Sequence, residues 1–438
     1  MKTTNILKCL VVVLALFTYS CSSDSDGDGG EGSTPGGGSG ITSITVAAST
    51  TSFELGGSVT FTVTGNDGSD LTSTSTILVN NSSIQGTSYT PTATGTFQIN
   101  ARYETLTSSA INIEVTPPVI TAIRIESTTT SMKVGDTADF VVTGSDASGN
   151  DYIVTDTASI TVNGNVITGN KHMAITADDL MVTAALDGVT SDALDLTVTD
   201  EVAPGMFQKT ATIIDATGTW CQFCPRVSYG IELVGDATDK VFAIAAHSGD
   251  AMQNPASAAL VAQVNPGGTF PTAVLNGNID WTFPEPDNVA QVTNLATGTT
   301  SRGLSVNSVV AGDNLQVYVS AAFAQSMPGA KLAVYVLEDG IDANQVNGTS
   351  YYGGVNPLNA SNGFTHDHTL RSSLTDVLGD VIPAGNTGAG QKYTQVFNYT
   401  IPSSINKDNI SVVAMIIGNN FETVAANGAH AGVDKDFN

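Results

Sequence analysis

Two stretches of this chain, beginning at residues 41 and 120, align without a gap: "ITSITVAASTTSFELGGSVTFTVTGND" and "ITAIRIESTTTSMKVGDTADFVVTGSD". Gly56 matches Gly135, Phe61 matches Phe140 and Gly65 matches Gly144. Such a repeat demands one supersecondary solution used twice. Runs such as "VTFTVTG" and "ADFVVTG" alternate apolar and polar residues, the period of a half-buried strand. Each copy closes on another alternating run, "INIEVT" or "LDLTVT". Short strands with Gly, Asp and Ser turns predict two small antiparallel sandwiches, over 41–117 and 118–200, joined at "TPPVI".

The pattern changes near residue 206. "QKTATIIDATGTW" reads as a buried strand, and "CPRVSYGIELV", starting at Cys221, as a helix with Pro225 in its first turn. "KVFAIAAH" is a second buried strand, "PASAALVAQV" a second helix, and "FPTAVLNG" a third strand entered through a proline. This order predicts an α/β sheet with at least one parallel pair, assigned to 203–300. Over 301–438, "LSVNSVV", "NLQVYVSAAF", "KLAVYVLE", "TQVFNYTI" and "SVVAMIIG" are strand candidates for a C-terminal β-sandwich packed on the α/β part. The insertion between "LEDG" and "YTQV" is long and rich in Gly and Asn. The expected fold class is multidomain: two all-β sandwiches, an α/β domain and a β-rich C-terminal domain.

A chain of 438 residues exceeds one ordinary core. With 15 basic against 41 acidic residues its formal net charge is −26, which repels a phosphate backbone and argues against nucleic acid as a partner. "MKTTNILK", the apolar "CLVVVLALF" and "TYSC" read as a secretory signal over 1–20 followed by a lipidation site at Cys21. The apolar run is too short to span a bilayer, and Cys9 within it would be removed. Residues 21–40 are an acidic, Gly-rich tether that buries nothing. Asp24, Asp26 and Asp28 look like the start of a calcium loop, but its twelfth position, which needs a bidentate Glu, is Pro35.

Of the four cysteines, only Cys221 and Cys224 form a close pair, in "GTWCQFCPRVSYG". A closed zinc site needs four ligands; this chain has no second pair and only scattered histidines, so no metal or other cofactor is assigned. A redox dithiol fits better. Between a strand and a helix, Cys221 would sit at the helix N-terminus, where free N–H groups and the helix dipole stabilise a thiolate, with Cys224 as the resolving sulfur. His247 and Asp250, at the end of the second strand, are placed to cap the next segment or to tune Cys221, and Arg226 to add positive potential or be solvated. His366 and His368 in "HDHTLR" share a face if that run is a strand, but no third metal ligand is identifiable. Glu338 and Asp339 read as a turn, and no hydrolase, metalloprotease or P-loop motif occurs.

Several resemblances follow from these residues. The repeats resemble bacterial immunoglobulin-like domains. Asp215 lies six residues before Cys221, Trp220 precedes it, and Pro271 stands in "GTFPTAVL"; this set resembles the thioredoxin superfamily. The resemblance implies Asp215 as proton acceptor and Pro271 as a cis-proline that docks an extended peptide beside the disulfide. Gln222-Phe223 between the cysteines and Phe270 before the proline depart from the thioredoxin pattern. "TATIIDATGTWCQFCP", "AIAAHSGDAM", "TFPTAVLNG", "VYVLEDGI" and "FTHDHTLR" together resemble the outer-membrane-protein-28-related lipoproteins of Bacteroidota, over about 205–438. The acidic run after Cys21 resembles the surface-export signal of Bacteroidota lipoproteins and implies an outer-membrane address, lipid-anchored and facing outward. Two functions then compete. One is thiol–disulfide exchange with the thiols and disulfides of exported proteins. The other is a surface adhesin or structural protein that binds surface ligands, with Cys221–Cys224 an inert disulfide.

Overall fold

A computed structural model describes residues 40–438. The expected signal and the Cys21 lipidation site lie outside the described residues, as does the tether through residue 39. The chain divides into two compact units, Met1–Pro117 and Pro118–Asn438.

In the first unit "VTFTVTG" forms the strand Val59–Gly65, buried at every second residue. It pairs with Ile44–Ala48 and Ser88–Tyr89, while Gly95–Tyr103 lies at the centre of a second sheet. Val59 and Phe61 from one sheet and Ile77, Ile99 and Ile113 from the other fill one core, so the module is a two-sheet sandwich. Residues 118–200 repeat the plan, with Ile120–Glu126 paired to Val141–Asp146 and Leu180–Leu186 inside a second sheet. In both copies a three-residue strand, Ser52–Glu54 or Ser131–Lys133, runs parallel to the closing strand. The matched residues have physical causes. Gly56 and Gly135 hold φ of 97° and 102°, where glycine is favoured. Phe61 and Phe140 are buried in their cores.

After residue 210 the main elements are β1 (Ala211–Thr217), α1 (Pro225–Ala237), β2 (Val241–His247), α2 (Pro255–Val264), β3 (Thr272–Leu275), β4 (Ile279–Asp280), α3 (Val289–Leu295), β5 (Arg302–Ala311), β6 (Asn314–Phe323), β7 (Lys331–Glu338), β8 (Thr369–Ser373), β9 (Asp380–Val381), β10 (Gln391–Thr400), β11 (Ile410–Ile417) and β12 (Thr423–His430). A nine-stranded sheet runs β4–β3–β1–β2–β8–β7–β11–β12, with β9 beside β7. β2 is parallel to β1, and β3 is antiparallel to it. All seven residues of β1 are buried, which explains its near-continuous apolar character. One face of the sheet, through Ile214, Ile244 and Tyr335, packs on Ala256 and Leu260 of α2. On the other face Ile213 and Ala243 meet Val227 and Val234 of α1 and Val292 of α3. Further along that face, Val334, Val336 and Val412 meet Val317, Val319 and Phe397 of a second sheet, β5–β6–β10.

The boundary expected at 300/301 does not separate two bodies. β1–β4, β7–β9, β11 and β12 contribute to one hydrogen-bonded sheet, because β8, within the long insertion, pairs with β2. Nor does the module over 118–200 close its core alone. Val309 of β5 and Tyr318 of β6 are part of it. Lys133 Nζ lies 2.9 Å from Asp436 Oδ1, and the Thr137 N–H donates to Asp434 at 2.7 Å. The helix expected from Cys221 begins at Pro225, with Cys224 at its N-cap position, so Cys221 lies in the turn before it.

A fragment spanning 118–438 is expected to unfold in one cooperative transition, and 41–117 to fold by itself. Tyr318→Ala is expected to destabilise the larger unit by about 3–5 kcal/mol, the range for truncating a large buried aromatic. Denaturant unfolding followed by near-UV signal and by proteolysis of the 118–200 module checks this. Two separated transitions would show that the module is autonomous.

Candidate functional site

β1 leads into the turn that carries the cysteines. Cys221 and Cys224 are joined in a disulfide, with Cα atoms 5.4 Å apart. The turn closes through Cys221 N–H to Gly218 O (2.9 Å) and Cys224 N–H to Cys221 O (3.2 Å). Part of the long insertion lies along it. Val346 N–H donates to Thr219 O at 2.8 Å, and Gly348 N–H to Gln222 O at 2.7 Å. Gln345 Nε2 donates to Cys221 O at 2.9 Å and reaches Gly218 O at 3.3 Å. Gln345 is buried, and Cys221 is only 3% exposed. The fit is close, since a Cβ on Gly348 would stand 3.0 Å from Gln222 Oε1.

The strand ends place the remaining residues. Asp250 accepts from Thr219 N–H and from His247 Nδ1, both at 2.8 Å, and so ties β2 to the cysteine turn. Burial pushes its carboxyl up, but the His247 bond and charge and the N–H donors Thr219 and Met252 hold it below the ordinary range. Trp220 stands half exposed, its Nε1 donating to Ser248 O at 2.7 Å and its ring edge-on to Phe270 at 5.2 Å. The Phe270–Pro271 bond is cis, as the sequence reading expects, and Pro271 heads β3. Arg226 is neither solvated nor free to tune a thiolate. It forms a two-point ion pair with buried Glu285 and lies 4.6 Å from the Phe283 ring centroid.

Asp215 sits between Ala245 of β2 and Ala273 of β3. It is buried, and its Oδ1 has no hydrogen-bond partner. Burial first, then the charge of Glu285, pushes its pKa up to about 8, against a smaller opposing pull from Arg226. Asp215, Thr217, Ala245 and His247 line a cavity of about 130 Å³ with Glu232 of α1 and residues 364–368. The His366 ring packs edge-on to that of His247 at 5.2 Å. Burial, reinforced by the His247 charge, lowers its pKa to about 4. His366 Nε2 lies 3.3 Å from Ala343 O and His368 Nδ1 3.4 Å from Asp339 Oδ1, so each has its own partner in the chain.

The structure therefore gathers Asp215, Trp220, Cys221, Cys224, His247 and Pro271 at one end of the sheet. Sequence reasoning missed Gln345, Glu285 and the role of His366. The only signal for Gln345 was the Gly- and Asn-rich composition of the insertion, which does not specify what it packs against.

Between its unfolded and folded pKa values, Asp215 holds its proton more tightly in the native state. Native stability should therefore fall as pH rises from about 4 to about 8 and level off above that. Asp215→Asn removes this dependence. The variant is expected to gain several degrees in Tm relative to the parent protein as pH rises through that window. Parallel melting curves between pH 4 and 9 check it.

No curated protein matches this chain. Solved structures resemble parts of it. HBP35 of Porphyromonas gingivalis is 18% identical, with 54% of this chain and 78% of that chain covered and a TM-score of 0.42. The Yersinia pseudotuberculosis adhesin InvE is 16% identical, covering 37% of this chain and 62% of that chain, with a TM-score of 0.23. Domains 5–6 of the S-layer protein SbsC are 20% identical, covering 36% of this chain and 98% of that chain, with a TM-score of 0.16. Residues 258–433, from within α2 to just beyond β12, match a family model described as Outer membrane protein Omp28, so this part of the chain, which starts after the cysteine pair, is similar to that family.

Proposed function

We propose that this chain is an outer-membrane surface protein that binds surface ligands through its β-rich body, and that Cys221–Cys224 is a structural cross-link. The observation that carries the reading is the cover over the cysteine turn. Residues 345–348 hydrogen-bond along it, and Cys221 is 3% exposed. An exchange site needs an attacking sulfur that a partner protein can reach. In an oxidising compartment a covered disulfide persists as a staple. The family likeness over 258–433 supports the outer-membrane address. Lipidation at Cys21 and the tether would anchor the chain facing outward. In chain order, the immunoglobulin-like sandwich over 41–117 separates that anchor from the larger unit.

A second reading, thiol–disulfide exchange with exported proteins, is favoured by one observation. Asp215, a buried acid with its pKa raised to about 8, lies in the strand that feeds the cysteine turn. This suits the thioredoxin-like resemblance of Asp215, Trp220, Cys221, Cys224 and Pro271. In that reading residues 345–348 leave the turn, and an external dithiol supplies the electron pair that opens the disulfide. Cys221 then attacks a substrate disulfide and Cys224 resolves the mixed disulfide.

Thiol labelling in a glutathione buffer separates the two. The cross-link is expected to stay oxidised and the protein to show no insulin turnover. The double variant Cys221→Ala, Cys224→Ala is expected to keep its fold and lose about 2 kcal/mol, the entropy of closing so short a loop. Turnover that disappears in Cys221→Ser would instead establish the exchange reading.

A further inference from the structure

The cavity beneath α1 is a partly open pocket of mixed polar and apolar lining, with a buried acid at its floor. Its ionisable lining comprises the carboxyl groups of Asp215, Glu232 and Asp367 and the imidazoles of His247, His366 and His368. No lysine or arginine lines it. Arg226, the basic group whose charge reaches Asp215, is already committed to Glu285. His247 is held by Asp250, and His368 by Asp339. Glu232 accepts from the Tyr352 hydroxyl at 2.7 Å. Among these lining groups, Asp215 is the one with a buried carboxyl oxygen, Oδ1, that has no hydrogen-bond partner in the chain, an arrangement that proteins seldom leave uncompensated.

In its carboxylate form Asp215 would need a donor, and the acidic wall favours a positively charged one. A metal ion is disfavoured, because among the described residues no three His, Cys, Asp or Glu come together as a ligand set. Size narrows the choice. A cavity of roughly 150 Å³ admits benzene, so about 130 Å³ holds only a compact organic ion. Ile231 and Phe364 supply apolar wall for a short carbon chain. An ammonium group supplies donors and a charge in a small volume.

We propose that this cavity binds a small primary alkylammonium ion, with its nitrogen on Asp215, its chain against Ile231 and Phe364, and Glu232 and Asp367 adding negative potential. The site is separate from the question of thiol exchange, since it needs no change at Cys221 or Cys224. Binding carries a proton balance. Burial keeps Asp215 largely neutral at pH 7, and the incoming cation stabilises the carboxylate, so about one proton leaves for solvent as the ammonium takes its place. His366, with its pKa lowered to about 4, stays neutral across this range. His247 and His368 also face the cavity, and positive charge on either would oppose the cation.

Isothermal titration of the oxidised full chain with n-butylammonium chloride tests this, with butan-1-ol as the neutral isostere. Saturable binding at one site is expected, at least tenfold tighter than for the alcohol. Apparent enthalpies in buffers of different ionisation heat should report release of about one proton at pH 7. Apparent affinity should weaken about tenfold per pH unit below about 8, following ionisation of Asp215. Asp215→Asn should lower affinity at least tenfold and abolish the proton release, and Glu232→Gln should lower it a few-fold. Three results would overturn the proposal: no saturable binding, equal binding of the alcohol, or unchanged affinity in an Asp215→Asn protein that still melts cooperatively. If that variant does not fold, the proton count and Glu232→Gln decide the matter on their own.

Discussion

The second unit depends on burying β1 from both sides. Its seven residues have no solvent-facing member, so each face of the strand needs its own cover. Ile214 and Ala216 turn to α2, and Ile213 turns to α1 and α3. The same alternation sends Asp215 to the α1 side, where desolvation keeps it neutral. β1 also delivers Gly218 and Thr219 to the cysteine turn. The acid and the disulfide are therefore neighbours because one strand carries both, and the parallel pairing with β2 brings His247 level with Thr217.

A polar insertion can order itself over such a turn only if its amides replace the water they exclude. Residues 345–348 do so. Two backbone N–H groups and the Gln345 side chain satisfy carbonyls at Gly218, Thr219, Cys221 and Gln222. Asn347 secures the far side, donating to Tyr351 O at 3.1 Å and Val355 O at 3.0 Å while accepting from Thr349 N–H at 2.9 Å. A buried amide with its partners met behaves as part of the core. The segment is thus an integral part of the fold around the cysteine turn.

Local pattern made much of this legible. The repeat exposed both sandwiches, since strand period and turn glycines are short-range properties, and Gly56 and Gly135 show why those glycines matter. The strand–helix order from 211 to 275 was equally readable, as was the cis bond at Pro271. Long-range pairing was not. That β8 joins β2 across more than a hundred residues, or that Tyr318 completes the core of 118–200, leaves no periodicity in the sequence. β12, "TVAANGAH", was missed because its small and polar residues do not read as a buried strand. The site divides along the same line: Asp215, Cys221, Cys224 and Pro271 stand in recognisable motifs, whereas Gln345 and Glu285 act only through the folded geometry.

Charge placement ties these threads together. In a chain of net charge −26, an unpaired buried anion faces repulsion as well as desolvation. Buried Glu338 meets Arg371 at 3.2 Å, and buried Glu285 meets Arg226. The Arg226 pair also bears on Asp215, because the charge of Glu285 raises the pKa of that acid and the charge of Arg226 lowers it. Arg226 thus offsets Glu285 twice, once in direct contact and once at Asp215. Without it, buried Glu285 and Asp215 would have no counter-charge between them. Its position two residues after Cys224 had suggested a role in tuning a thiolate. Its partner instead makes it the counter-charge that lets an acidic protein keep a buried acid at the end of β1.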